Sequence, residues 1–176
     1  MTKNFLVRSL LILPTVGLLM TTPISPAQDK TNSPPNFAGL STSDQALFDK
    51  ALAAMSKRAG ELNVEGVALV AYAPGDSVQS WTSKMIVVGR MKTPSTDRAK
   101  GNNMLAIAYA KAAEMADTLK NSGSKARPSL TGENGWEGGV TARGKNGQLI
   151  VAFSGGTSPD DVKVSTAGLE ILQSQL

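Results

Sequence analysis

Residues 138–154, GGVTARGKNGQLIVAFS, decide the fold of this chain, because they carry two strand-forming runs and the turn that joins them. The turn is Lys145-Asn146-Gly147, and an Asn-Gly pair supplies the left-handed backbone that a tight hairpin requires. The runs 138–142 and 148–154 flank that turn. We therefore predict an antiparallel β-hairpin in this part of the chain.

A further pair of strands precedes this hairpin. Residues 67–73, VALVAYA, are almost wholly apolar, which is typical of a strand covered on both faces. Pro74-Gly75-Asp76 then reverses the chain, and residues 77–90 contain enough apolar side chains for one long strand or two short ones. Connections this short favour antiparallel pairing of the strands.

Three helices are predicted around these strands. Residues 42–62 and 103–121 place apolar side chains on one face at helical spacing. A last helix begins near Ser158, the expected cap, with Asp160 and Asp161 complementing the helix dipole. The order helix, two or three strands, helix, two strands, helix predicts one α/β (α+β) domain, with an antiparallel sheet of about five strands flanked by helices.

The N-terminal segment has the pattern of a secretory signal peptide. Lys3 and Arg8 form a positive region, and residues 10–20 form an apolar run of signal-peptide length that is too short to cross a membrane comfortably. Ser25-Pro26-Ala27 offers small residues at the positions that a signal peptidase reads. We therefore expect residues 1–27 to be a signal peptide.

The expected mature chain has two parts. Residues 28–40 are rich in Pro, Asn and Ser and indicate a flexible linker or arm, and residues 41–176 form the domain. Cleavage removes Lys3 and Arg8 and no acidic residue, so the formal charge falls from +4 to +2. A charge this small argues against nucleic-acid binding. We expect a periplasmic or secreted protein without stable membrane insertion after the leader is removed.

The composition excludes several classes of chemistry. The chain contains no Cys, so it has no disulfide, no thiolate nucleophile and no thiolate-bound metal. It also contains no His, which excludes a Ser-His-Asp triad, an imidazole base and a proximal-His haem site. Four possibilities are left: catalysis by carboxylates, catalysis by a Ser-Lys dyad, ligand recognition by backbone or hydroxyl groups, or no catalysis.

Four stretches of the chain resemble a known family. They are Val88-Gly89-Arg90-Met91; AIAYAKAAEMA at 106–116; Gly138-Gly139-Val140 with the turn at 145–150; and the segment 154–169, which contains SGG, DD and AGL. Their order and spacing resemble the GlcG/HbpS-like haem-binding family, small α/β domains of profilin-like architecture, over roughly residues 47–172. Departures from the family pattern occur at Lys92, Thr141 and Phe153.

The resemblance, together with residue chemistry, indicates six candidate ligand-binding residues. The guanidinium fork of Arg90 suits a carboxylate or a haem propionate, although a strand-end salt bridge is the alternative. Lys111 suits an anionic ligand, with an exposed snorkelling lysine as the alternative. Tyr109 is a residue that could ligate or stack on haem in a chain without His. Gly138 and Gly139 belong to the family-like motif.

Trp136 is the sixth candidate, in the long polar segment 122–137. A large aromatic residue in a polar loop often serves as a ligand platform or a subunit contact, and its alternative is a loop anchor folded onto the core. The carboxylates of Glu114 and Asp117 are three residues apart on a helix, but two carboxylates more often form a solvated face than a metal site. We predict no metal site and no catalytic residue.

These observations leave three functional hypotheses. The first is an exported, non-enzymatic protein that binds haem or another planar or anionic small molecule and forms a homo-oligomer. The second is an enzyme or enzyme accessory acting on a small hydroxy acid or carbonyl compound, with Lys111 as a base of lowered pKa and Arg90 as a carboxylate clamp. The third is an exported subunit whose surfaces serve only self-assembly.

Overall fold

The computed structural model describes residues 42–93 and 101–176, which form three helices and four strands. The predicted signal peptide and arm therefore lie outside the described residues. The elements follow one another as α1 (Thr42–Glu61), β1 (Gly66–Pro74), β2 (Thr82–Val88), α2 (Met104–Thr118), β3 (Gly139–Arg143), β4 (Gly147–Ser154) and α3 (Ser158–Gln173). No helix in these two ranges is long and apolar enough to cross a membrane.

The four strands form one antiparallel sheet in the order β2-β1-β4-β3. In the predicted hairpin, Val140 is opposite Val151 and Arg143 is opposite Gln148. The central strands β1 and β4 pair over the whole of β4, from Val67 opposite Ser154 to Pro74 opposite Gly147. The α+β class is therefore confirmed, and the arrangement is consistent with the profilin-like architecture that the resemblance implies.

The sheet has four strands where about five were expected. Residues 77–90 contribute one strand, β2, because the chain around Ser77 forms a bend before extended structure starts at Thr82. The start of the last helix also differs by one residue from the prediction. Thr157, rather than Ser158, is the N-cap, since its side chain accepts from the amide of Asp160.

Both faces of the sheet are covered, which explains why β1 is apolar throughout. Successive side chains of a strand point to opposite faces. Accordingly, Ala68 and Val70 pack in the cluster with α1 and α3, whereas Val67, Leu69 and Ala71 pack in the cluster with α2. All five side chains are fully buried. The sheet is thus a central layer with α2 on one face and α1 and α3 on the other.

The segment between α2 and β3 is held in place by an ion-pair network. Arg127 donates to both carboxylate oxygens of Glu133, at 2.7 and 2.8 Å, and to Oδ2 of Asp117 at 2.7 Å. Glu133 also accepts from the amide of Leu130. The guanidinium holds the pKa of Glu133 at about 2, and the carboxylates of Glu133 and Asp117 raise the pKa of Arg127. This loop carries Trp136 to the beginning of β3.

Candidate functional site

Lys111 lies on one flank of α2 and is almost completely buried, with 3% of its surface exposed. Its ammonium donates to the carbonyl oxygen of Phe153 at 2.8 Å and to Oδ2 of Asp161 at 2.7 Å. Phe153 is near the end of β4 and Asp161 is in the first turn of α3. The amine thus joins three elements at one end of the sheet.

Asp161 is equally buried and is held from two sides. Its Oδ2 accepts from Lys111, and its Oδ1 accepts from the amide of Gly156 at 2.8 Å. Burial lowers the pKa of Lys111 and raises the pKa of Asp161, because each charged form loses its hydration. Their mutual attraction opposes both shifts. The pair is therefore a desolvated but internally satisfied ion pair.

Gly138 makes room for this pair. A Cβ atom at this position would overlap the Lys111 amine and lie 2.7 Å from the Cβ of Asp161, and the backbone φ is +128°. The carbonyl oxygen of Gly138 accepts from the hydroxyl of Ser165 at 2.6 Å. Gly138 is therefore fixed by α3 and leaves space for Lys111. Gly139 instead packs closely on Met115, where a Cβ would lie 2.5 Å from the methyl carbon.

A small cavity of about 110 Å³ lies beside the ion pair. Lys111 and Asp161 line it together with Trp136, Glu137 and Asn102. The indole of Trp136 is 49% exposed, so one of its surfaces is open to a binding partner. Glu137 is exposed and makes no hydrogen bond or ion pair with a described residue. Its carboxylate adds a negative charge beside the neutral Lys111–Asp161 pair.

A second cavity of about 350 Å³ adjoins the first. Both are lined by Asn102, Ile107 and Trp136, so the indole lies between them. The helical residues that contribute to the two cavities, Ile107 and Lys111, are four apart and share one flank of α2. The two cavities therefore lie side by side, bordered by the start of α2, the loop that carries Trp136 and the turn before α3; together we call them the Trp136 depression.

The structure brings together half of the residues predicted from the sequence. Lys111 and Trp136 line the first cavity, and Gly138 abuts the Lys111 amine. Tyr109 is two residues from Lys111, about 200° around the helix, and packs in the cluster under β1 with Trp81 and Met85. It therefore faces away from the cavity.

Arg90 lies outside the cavity as well. Its guanidinium pairs with the carboxylate of Glu65 at 3.0 Å, and both side chains are about half exposed. This is the strand-end salt bridge that the sequence left open as the alternative. The Lys111 cavity thus lacks the arginine clamp that both ligand hypotheses used.

The sequence patterns do not reveal two buried acids. They predict that Asp161 complements the helix dipole and that Glu114 belongs to a solvated face, yet these residues are 3% and 5% exposed. The helical spacing of Ile107, Lys111 and Glu114 on an alanine-rich helix was the available signal, because it marks a second flank facing protein. In the described ranges, no three acidic residues are grouped so that they could hold a metal ion.

No family model matches this chain, and no curated protein matches it. Among solved structures, the chain is similar to one described as the crystal structure of a PduOC–haem complex. The TM-score is 0.47 and the sequence identity is 14%, and the alignment covers 76% of this chain and 94% of that one. The haem in that description is the ligand of that protein.

Proposed function

We propose that this chain binds a small planar ligand at the Trp136 depression and catalyses no reaction on it. One observation carries the proposal: the half-exposed indole of Trp136 and the buried amine of Lys111 line the same cavity. An exposed indole beside a polar cavity offers a flat apolar surface for a ring. The nearby amine and amide groups offer hydrogen bonds to the edge of that ring.

The hydrogen bonding of Lys111 indicates which polar group such a ligand carries. An ammonium has three N–H donors, and two oxygens of the described residues accept from Lys111. A carbonyl or carboxylate oxygen of a ligand would occupy the third. Asn102 adds an amide to the lining. We therefore expect a planar compound with at least one oxygen acceptor at its edge.

Haem is the first candidate ligand, because the sequence motifs resemble those of a haem-binding family. The residues that line the two cavities can contact part of a haem. The cavity of about 110 Å³ is too small to enclose a ligand of that size, whereas the adjoining 350 Å³ cavity is within the range of about 300–1,000 Å³ typical of small-ligand pockets. Trp136 would hold the porphyrin ring, and Lys111 and Asn102 would receive a propionate.

The methionine and the lysine that line the cavity are not free to ligate the iron of a haem. Met104 lines the cavity, but it is 2% exposed and belongs to the core under the sheet. The amine of Lys111 is engaged with Asp161 and Phe153. In the proposed binding mode the protein therefore contacts the ring and its carboxylates. It orients the ligand and excludes water from it.

Titration with haemin and with metal-free protoporphyrin tests this mode. We expect both compounds to bind, with a Soret shift for haemin and similar affinities for the two, because the iron makes no bond to the protein. Trp136→Ala should weaken binding about tenfold or more, the loss typical of a tryptophan at the centre of an interface. Leu130→Ala is the matched control, since Leu130 is also exposed in this loop.

Two results would contradict the proposal. One is the absence of a Soret shift at micromolar haemin together with no binding of protoporphyrin. The other is equal affinity of the Trp136→Ala and Leu130→Ala variants for either compound. Binding of haemin alone would show that the iron is coordinated, which contradicts the ring-and-propionate mode.

Catalysis on a small hydroxy acid or carbonyl compound is the second candidate function. It is favoured by Asp161, which gives Lys111 the titratable partner that the sequence did not show. Burial lowers the pKa of Lys111 and so raises the fraction of uncharged amine. Turnover of 2-hydroxy and 2-keto acids by the wild type, lost in Lys111→Met under conditions in which circular dichroism shows that this variant is folded, would support this function. No turnover, or turnover unchanged in that variant, would eliminate it.

Export and self-association complete the proposal. The charged, apolar and small-residue regions of residues 1–27 support a cleaved leader and a periplasmic or secreted location. Mass spectrometry of the exported protein should give a chain that begins at Gln28. Light scattering on that chain tests the proposed homo-oligomer, with a monomeric mass as the contradicting result.

A further inference from the structure

Glu114 is a buried carboxylate with one oxygen that has no hydrogen-bond partner. The residue is 5% exposed, and Oε2 is the buried side-chain atom in the described part of the chain that makes no hydrogen bond. The other oxygen, Oε1, accepts from the amide of Gly123 at 2.9 Å. That bond fixes the carboxylate group. An acceptor buried without a donor costs free energy, so its presence in a folded protein calls for an explanation.

A cavity of about 550 Å³ is adjacent to this carboxylate. Glu114 lines it from α2, and Lys125, Arg127 and Asn134 line it from the loop that follows. This cavity does not include Lys111, one turn earlier on α2, or Asp161 of α3, both of which line the first cavity. Its size is typical of small-ligand pockets.

The two cations of this cavity differ in availability. Arg127 is neutralised by two carboxylates. Glu133 accepts hydrogen bonds from its Nη1 and Nη2 atoms, and Asp117 accepts one from its Nε atom. Lys125 makes no hydrogen bond or ion pair with any residue in the described ranges. The cavity thus combines a buried acceptor that lacks a donor with an exposed ammonium that lacks an anion.

The loop that closes the cavity has a defined shape before any ligand arrives. Gly123, Lys125 and Gly135 all have positive φ values, of 72°, 57° and 62°. Lys125 adopts this conformation despite its side chain, which costs free energy and persists only where the surroundings impose it. The Arg127–Glu133 ion pair holds the segment in place. A preformed cavity of this kind loses less entropy when it binds a ligand.

We propose that this cavity is a second ligand site, which takes a small zwitterion of the α-amino acid class. The ammonium group of the ligand donates to Oε2 of Glu114, and its carboxylate pairs with Lys125. A simple cation would leave Lys125 unpaired, and a simple anion would leave Oε2 without a donor. The remaining volume accommodates the ligand's side chain.

Isothermal titration of the purified chain with the standard L-amino acids tests the site. We expect at least one to bind at millimolar concentration or below. Its N-acetyl derivative, which lacks the ammonium, should not bind, and its amide, which lacks the carboxylate, should bind more weakly. Glu114→Gln keeps the acceptor for Gly123 and removes the charge, so it should weaken binding about tenfold or more.

Matched controls separate this site from folding effects and from the Trp136 depression. Glu170→Gln removes an exposed carboxylate of α3 and should leave amino acid binding unchanged. Trp136→Ala should weaken protoporphyrin binding and leave amino acid binding unchanged. The derivative series on the wild type needs no variant to fold. The proposal is overturned if no amino acid binds, if the N-acetyl derivative binds as well as its parent, or if Glu114→Gln binds like Glu170→Gln.

Discussion

The ammonium of Lys111 donates a 2.7 Å hydrogen bond to Oδ2 of Asp161, 50 residues later in the chain, and so ties α2 to the first turn of α3. The two side chains are 2% and 5% exposed. Each therefore depends on the other for charge compensation, since neither is hydrated. The pair also forms part of the cavity in which we propose ligand binding.

Lys111→Met should destabilise the protein by about 3–5 kcal/mol, the usual cost of leaving one charge of a buried pair uncompensated. The double variant Lys111→Met/Asp161→Asn should be less destabilised than the single one, because it leaves no buried charge. Urea denaturation followed by circular dichroism measures both free energies of unfolding.

Lys163→Met provides the control for the Lys111 variant. Lys163 is about half exposed and pairs with Asp160 on the surface of α3, so its loss should change stability little. If Lys111→Met is no less stable than Lys163→Met, the buried pair does not stabilise the fold.

The fold was largely predictable from the sequence because its signals are local. The apolar run of β1, the Asn146-Gly147 turn and the apolar spacing of α2 each determine an element from a few neighbouring residues. The strand count was too high because apolar residues on both sides of Ser77 do not show where a bend falls. Bends of this kind depend on how the rest of the sheet packs.

The candidate site was predictable in part. Lys111 and Trp136 were identified as unusual residues for their surroundings, and both line one cavity. Asp161 could not be assigned to Lys111, since their contact is set by the packing of α2 and α3 across the end of the sheet. Arg90 is near Glu65 because the end of β2 lies beside the start of β1, where Val88 is opposite Gly66. The register between two strands cannot be predicted from the sequence of one strand alone.

Gly138→Ala should displace the Lys111 amine. The new methyl group would overlap that amine, so the free energy of unfolding should fall by about 1–3 kcal/mol more than backbone strain alone explains. Gly75→Ala measures the strain alone, since Gly75 also has a positive φ and a Cβ there would meet no atom within 4 Å. Equal destabilisation by the two substitutions in thermal or urea unfolding would refute the packing role of Gly138.

Arg90→Gln should leave protoporphyrin and haemin affinity unchanged. Arg90 pairs with Glu65 and does not line the Trp136 depression. Because both partners are about half exposed, the loss in stability should be below about 1 kcal/mol. Absorbance titration of this variant beside Trp136→Ala is the measurement, and a comparable loss of affinity in both would relocate the site toward β2.

Glu133 should make the loop network sensitive to acid. Its pKa is about 2 in the folded chain, against 4.5 for an unperturbed glutamate, because Arg127 stabilises the charged form. Well above pH 4.5 the carboxylate is charged in both states and the stabilisation is complete; as the pH falls through 4.5 toward 2, the unfolded state takes up a proton first and the stabilisation is lost. The stability difference between wild type and Glu133→Gln should therefore shrink in acid, and a difference that is constant with pH would contradict the network.

Glu137→Gln reports the charge of the ligand that the Trp136 depression accepts. The carboxylate of Glu137 lines this cavity without a partner among the described residues, whereas the charges of Lys111 and Asp161 cancel. A ligand with carboxylates is repelled by Glu137, so the substitution should strengthen protoporphyrin binding severalfold at low salt, and added salt should reduce the gain because it screens exposed charges. Titrations at two salt concentrations, with Glu170→Gln as the control for an exposed carboxylate elsewhere, measure the effect. Weaker binding in Glu137→Gln would show that the carboxylate accepts a hydrogen bond from the ligand, and the ligand class would then be a planar cation or amine rather than a carboxylate.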